Sequence, residues 1–363
     1  MWIRKGVCGE MNKSRLAVLL VALLAAALAV TACGKKTPPK EALQKAWAAS
    51  MEMKSFTFDG SLAIDELELP PSAQNEAVLP YLGMIENTSL SIRGAYTRDP
   101  LKLEAILKLT IPGDLAVSFE VPLIWANDKV YAKIPAIPML PLGDAAGKFV
   151  EIDPAGLAEG EGAALPAFNV EVQRKLAGEA LGIVFSHLDE EHFFREVKKE
   201  DVPGLPGDLK ADRFIKFSIA QDNFDAFMQA FAENIMPEII DLLLASEDYR
   251  SELQLTEEEL KRAKEELAAK DPESLRNELE ALKQNLTVHE ISVTSAIKGD
   301  KLVYQKLKGN LETTENGETT KIGFSFDIRY DNINKDVKFE HEIPEDALTM
   351  EELLQSLFSA FAS

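Results

Sequence analysis

Four histidines, two cysteines and 60 carboxylates are the side chains of this 363-residue sequence that could carry acid–base, metal or nucleophilic chemistry. Their spacing offers little of it. His187 and His192 lie five positions apart, which on a helix turns them about 140° from each other, so they cannot readily share a metal. His187 and Glu191 share one helical face and read as a solvated ion pair. His289 and His341 fall on the apolar parity of their expected strands, where a satisfied rim or core histidine outweighs a pH-sensing contact. The segment from Gly143 to Phe149 has three residues between its glycines and a phenylalanine where a phosphate loop needs a hydroxyl. No Gly-x-Ser-x-Gly turn is present to raise a nucleophile. Paired carboxylates arise by accident in a chain this acidic. The reading is a non-enzyme with no catalytic residue, no metal site and no cofactor.

Charge narrows the partners. The chain has 39 basic and 60 acidic side chains, a net charge of −21, which repels nucleic-acid phosphates and anionic headgroups. Two cysteines exclude a disulfide framework. One of them, Cys33, has a role written into its surroundings. Lys13 and Arg15 precede an unbroken apolar run over residues 16–30, shorter than the roughly 20 residues a membrane-crossing helix needs. This is the layout of a secretory signal. Val30-Thr31-Ala32-Cys33 resembles a bacterial lipobox, whose cysteine is acylated on sulfur and becomes the new N-terminus.

The expected organisation is therefore a signal peptide over residues 1–32, with residues 1–10 as upstream sequence from a mistaken start. A lipidated tether follows over 33–40, then a single folded domain over 41–363. The expected location is the extracytoplasmic face of the cell membrane, held there through the anchor at Cys33.

The folded part has 46% hydrophobic and 27% charged residues to draw on, the balance of a globular chain. A helix is expected from Glu41. Period-two alternation then marks strands through Phe56, Phe58, Leu62 and Ile64; Leu90, Ile92 and Tyr96; Leu101 to Ile111; and Leu115 to Trp125. Turn signals separate them, so neighbours run antiparallel. A Pro-, Gly- and Ala-rich stretch over 135–166 interrupts the pattern, apart from a strand at 148–152. Helix returns over 170–194 and a strand over 213–219. Asp222 is placed to cap a long helix kinked at Pro237.

Two charged helices over 256–285 follow, the first with a Thr256/Glu259 capping box and the second opened by Asp271-Pro272. Leu275, Leu279, Leu282 and Leu286 form a narrow stripe on the second. Strands resume from Ile291, turn at Gly299-Asp300 and Asn316-Gly317, and end in a series through Val337, Phe339, His341 and Ile343 before a terminal helix. Two β-rich halves, about 54–152 and 213–343, make this an α+β protein.

Parity gives each strand one apolar and one polar face. Phe58, Leu62, Ile92, Leu107, Phe119, Phe324, Phe326 and Ile328 share the first; Ser91, Arg93, Lys102, Glu104, Lys108, Glu120, Lys321 and Arg329 share the second. A large sheet with one apolar face must cover it with helices, another sheet or a bound apolar molecule. The helix starting at Phe224 is the obvious cover.

The segment order adds a resemblance. Lipobox, short helix, Phe56-x-Phe58-x-Gly60, Asp99-Pro100-x-Lys102, Lys129-Val130-Tyr131-x-Lys133-Ile134-Pro135, Gly147-Lys148-Phe149-Val150-Glu151, and the late Asp331-Asn332-Ile333-Asn334 with Phe339-x-x-x-Ile343-Pro344 together resemble the LolA/LppX type of bacterial lipoprotein. The likeness implies a large curved antiparallel sheet, an open half-barrel, with helices over its concave face and an apolar cavity for acyl chains. The residues expected to line that cavity are Phe58, Leu62, Ile92, Leu107, Phe119, Phe227, Phe231 and Phe326. The leading expectation is a binder or carrier of a hydrophobic molecule, a lipid above all. The alternative is an interaction or sensory module of the cell envelope that kept the scaffold without a ligand, with residues 256–285 docking a protein partner.

Overall fold

Among the described residues, eleven strands build one open antiparallel sheet in the order β6-β5-β4-β3-β2-β1-β11-β10-β9-β8-β7. The computed structural model describes residues 37–74, 88–111, 117–127, 129–137, 142–152, 169–269 and 272–361. Residues 1–36, on which the expected signal peptide and the lipobox-like stretch with Cys33 fall, and most of the Pro-, Gly- and Ala-rich stretch lie outside the described residues. The first half contributes β1 (Ser55–Glu68), β2 (Ser89–Arg98), β3 (Leu101–Ile111), β4 (Val117–Ala126), β5 (Lys129–Lys133) and β6 (Phe149–Ile152). The second contributes β7 (Phe194–Val197), β8 (Arg213–Ile219), β9 (Leu286–Lys298), β10 (Lys301–Glu315) and β11 (Glu318–Asp331). Each half is a meander of neighbours. The two join where β1 pairs antiparallel with β11, so the first and last strands of the chain meet at the sheet's centre.

The turns follow their residues. Asn316 and Gly317 both take positive φ, 53° and 80°, and close the two-residue hairpin between Glu315 and Glu318. Gly299, at φ 62°, opens the turn from Lys298 to Lys301.

Helices cover one side of the second half. They are α1 (Pro39–Met51), α2 (Val170–His187), the single turn α3 (Glu190–Phe193) and α4 (Phe224–Ala230), which runs through a π-helical turn (Phe231–Ile235) into α5 (Met236–Ala245). Leu43 and Ala46 of α1, Phe185 of α2, and Phe224 pack on Ile215, Ile219, Val288, Ile297 and Leu302 in the largest core cluster. The π turn falls just ahead of Pro237. A proline ring clashes with the carbonyl four residues back, and widening the helix relieves that clash. The helix is capped at Asn223 instead of Asp222. Asn223 is buried, accepts from the Ala220 amide at 2.8 Å, and donates to the carbonyls of His192 and Ser218 at 2.9 and 3.0 Å.

The charged helices are α7 (Glu257–Ala269) and α8 (Pro272–Asn285), preceded by α6 (Glu247–Leu253). The Thr256/Glu259 capping box forms as expected, with the Glu259 amide donating to Thr256 Oγ1 at 3.2 Å and the Thr256 amide to Glu259 Oε2 at 2.9 Å. Leu260 buries α7 against Ile240 and Leu243 of α5, and Lys264 pairs with Asp241. Asn285 ends α8, so Leu286 belongs to β9 and not to the leucine stripe of the helix.

The late series through Val337, Phe339, His341 and Ile343 is not a strand. It is a strap across the other side of β2–β5, leading to α9 (Met350–Phe361). Alternation reports one-sided burial, and here the buried side faces a sheet already fully paired at β2–β5. Ile343 and Ala347 rest on Ile124, Ala126 and Tyr131, while Lys102 sits 4.2 Å above the Phe339 ring.

The polar face of the sheet carries one strongly perturbed acid. Burial opposes ionisation of Glu290, but hydrogen bonds from Lys216, from Ser292 at 2.9 Å and from Lys308 outweigh it and hold its pKa at about 2. A depressed carboxyl stabilises the fold above its unfolded value and loses that contribution as pH falls through the folded one. Between pH 4.5 and about 2, acid unfolding of Glu290→Gln is therefore expected to be shallower than that of the parent, read by circular dichroism.

Candidate apolar binding face

Cross-strand register turns the parity pattern into continuous rows. Phe119, Leu109, Leu90, Leu62, Phe326, Leu307, Val293, Phe217 and Phe194 stand opposite one another in sequence across nine strands. Every member is apolar. The next position along each strand gives Glu120, Lys108, Ser91, Ser61, Asp327, Lys306, Thr294, Lys216 and Arg195, and every member is polar. One-residue register slips would mix the two, so the pattern pins the register as well as the face.

The apolar face has two zones. Under the helices, around β7–β10, it is solid core. Phe227 and Phe231 belong to this zone: their rings stack at 5.9 Å, and Phe227 meets Phe193 at 6.5 Å. Across β1–β4 and β11 the cover is thinner. Leu62, Ile92, Leu107, Phe119 and Phe326 are only half-buried, and Val117 and Ile322 are 44% and 42% exposed. Leu62 and Phe326 are direct partners, as are Ile92 and Leu107. Phe119 lies three strands from Leu62 in the same row, with Leu109 and Leu90 between them. Among the expected lining residues, these five share one surface, Phe58 lies in the next row at its closed end, and Phe227 and Phe231 sit with the helical core.

Phe58 is buried because its ring lies over Gly94, the one residue in its row that leaves room for it. It ends an aromatic group that includes Phe56, Tyr96 and Tyr330. Phe56 is 5.0 Å from Tyr96, 5.4 Å and nearly perpendicular to Tyr330, and 6.2 Å from Phe58. Burial pushes the Tyr330 phenol above its ordinary value. Phe56, Tyr96 and Tyr330 carry the same parity as Leu62 and Ile92, a signal that would have placed them on this face. The surface thus has an aromatic end near α1 and a more exposed aliphatic end at Val117 and Ile322.

Every histidine meets a carboxylate. His187 pairs with Glu238 at 2.8 Å rather than with Glu191, His192 with Asp189 at 2.8 Å, His289 with Glu312 at 3.1 Å and His341 with Glu104 at 2.9 Å. His289 occupies a bulge in β9, which swings it off the apolar parity. Among the described residues no group of three or more His, Cys, Asp or Glu side chains could hold a metal ion. No helix among them is long and apolar enough to cross a membrane.

The fold and face define an α+β chain with an open antiparallel sheet that is apolar on one side. Compared with known proteins, the sequence matches no family model and no curated protein.

Proposed function

We propose that this chain is a lipid-anchored protein of the cell envelope that holds a hydrophobic molecule, acyl-chain lipid above all, against the half-buried rows of β1–β4 and β11. One observation carries the reading: an unbroken apolar row from Phe119 to Phe326 whose members are half-buried where they leave the helices. Covering such a surface with an acyl chain gains about 25 cal/mol for each Å² removed from water. The row offers contact without hydrogen-bonding groups, which suits selection by apolar bulk instead of by headgroup. The resemblance to LolA/LppX-type lipoproteins supports the same ligand class, and the lipobox supports attachment through Cys33.

The test is organic extraction of the purified protein with mass spectrometry of the extract, followed by titration with a fluorescent fatty acid. A co-purifying acyl lipid and saturable probe binding are expected. Leu107→Lys places an ammonium in the middle of the apolar surface and should weaken probe binding about tenfold, because the bound chain would cover a charge. The half-buried site lets the lysine reach water in the free protein, so the far-UV spectrum should stay unchanged. A parent protein that yields no lipid and rejects the probe would sink the proposal.

A further inference from the structure

The opposite face of the same sheet carries its polar rows beside two small apolar clusters, and its charge is uneven. Toward its β7 edge the polar row ends in Lys306, Thr294, Lys216 and Arg195, each directly opposite the next. The adjoining row places Ser325, Lys308 and Ser292 beside them. These side chains line a groove of about 410 Å³, with Ser292 and Thr294 buried in its floor and Asp65, Asp201 and Glu290 among its walls.

Two features of this groove concern how its cations are balanced. Lys216 and Arg195 face each other across β7 and β8, and like charges directly opposite on a sheet are destabilising. Lys216 has Glu290 for compensation, but among the described residues Arg195 forms no ion pair, in a protein whose carboxylates outnumber its cations 60 to 39. Lys306 is the second such cation. Its ammonium donates to the Pro203 carbonyl at 2.9 Å, a bond that leaves its charge unbalanced. Its cross-strand neighbour Asp327 accepts from Ser61 instead, at 2.6 Å. Glu290, bonded to both Lys216 and Lys308, offsets part of their charge. The arrangement is a cluster of cations with hydroxyl groups between them and room above.

We propose that this groove is a second binding site, independent of the apolar face, for a small oxyanion of the phosphate-monoester class, held by Arg195 and Lys306 with Lys216 and Lys308 behind them. An anion there relieves the opposed cations and receives charge-assisted hydrogen bonds from several sides. The anion could be free or the exposed headgroup of a lipid, and the chemistry at the groove is shared.

Calorimetry on the full-length protein in detergent separates these sources, with inorganic phosphate, glycerol 3-phosphate and phosphatidic acid in mixed micelles as the three probes. Saturable binding is expected, weakened about tenfold by Arg195→Ala and by Lys306→Ala, as fits loss of one charged hydrogen-bond donor. Both side chains reach solvent, so unchanged melting curves are expected to accompany the loss. Glu290→Gln releases two lysines and should tighten binding. Binding of the two soluble phosphates assigns a free ligand, and binding of phosphatidic acid alone with the same sensitivity assigns a headgroup; both support the site. Absence of saturable binding to all three probes overturns it. So does binding indifferent to Arg195→Ala and Lys306→Ala, or weaker binding in Glu290→Gln.

Discussion

Gly94→Ala is expected to destabilise the protein by about 3 kcal/mol, a large effect for the addition of one methyl group. A Cβ at this position would stand 1.9 Å from the Glu104 carbonyl oxygen, 2.9 Å from its carbonyl carbon and 2.6 Å from the edge of the Phe58 ring. The nearest obstacle is backbone of the neighbouring strand, which cannot turn aside as a side chain can. Relief requires β2 and β3 to part locally, and the Phe58 ring to leave the aromatic group it completes with Phe56. Trimming Phe58 in the double variant Gly94→Ala/Phe58→Ala should therefore rescue nothing. Gly178→Ala on α2 is the matched control: its Cβ would meet no atom within 4 Å, and alanine replaces glycine inside a helix. That variant should gain roughly 0.5–1 kcal/mol. Urea unfolding of the three proteins measures both signs, and a Gly94→Ala protein as stable as its parent would show that the sheet can open there at no cost.

The contrast between these glycines also marks what the residues alone could reveal. The apolar face was legible because period two assigns Leu62, Ile92, Leu107, Phe119 and Phe326 to one side without any knowledge of pairing. Short turns made the antiparallel meanders legible, and Asn316-Gly317 fixed its hairpin. Which strands meet at the centre was not legible, because nothing local to Phe58 or Tyr330 encodes that β1 and β11 are neighbours. Nor was the fit of Phe58 over Gly94, which depends on that register. The strap shows the opposite failure: Phe339, His341 and Ile343 alternate like a strand because a flat surface buries every second side chain, whether or not the backbone pairs. Phe227 and Phe231 have the spacing of a helix that covers the sheet, and they do so. The pattern could not tell cover over the solid zone from cover over the half-buried one.

The middle of that strap is held by one buried side chain. Glu104 is 1% exposed, and its two oxygens accept from the Glu340 amide at 2.6 Å, the His341 amide at 2.8 Å and His341 Nδ1 at 2.9 Å. Removing the acceptor takes the partner from three part-buried donors at once, and a donor left unmet costs more than the hydrogen bond gains. Glu104→Ala should therefore destabilise the protein by about 2–3 kcal/mol. Glu104→Gln keeps one acceptor oxygen but turns an amide NH₂ toward the donors, and should fall between alanine and the parent.

Arg93, which grips Glu340 at 2.9 Å and Glu120 at 3.1 Å, is too exposed to hold the strap alone. The loss should reach beyond residue 341. Leu348 exchanges backbone hydrogen bonds with Phe149 and Glu151, both at 2.8 Å, so a loosened strap also frees the edge of β6. Hydrogen exchange in Glu104→Ala should accelerate at the amides of Glu340, His341 and Leu348 while those of β9 and β10 keep their protection. Trypsin should gain access at Lys335 and Lys338. The strap backs the strands whose opposite face carries Ile92, Leu107 and Phe119, so probe binding on that face should weaken without any change in the residues that line it. Uniform acceleration across both halves would instead mean that Glu104 supports the whole sheet and not the strap.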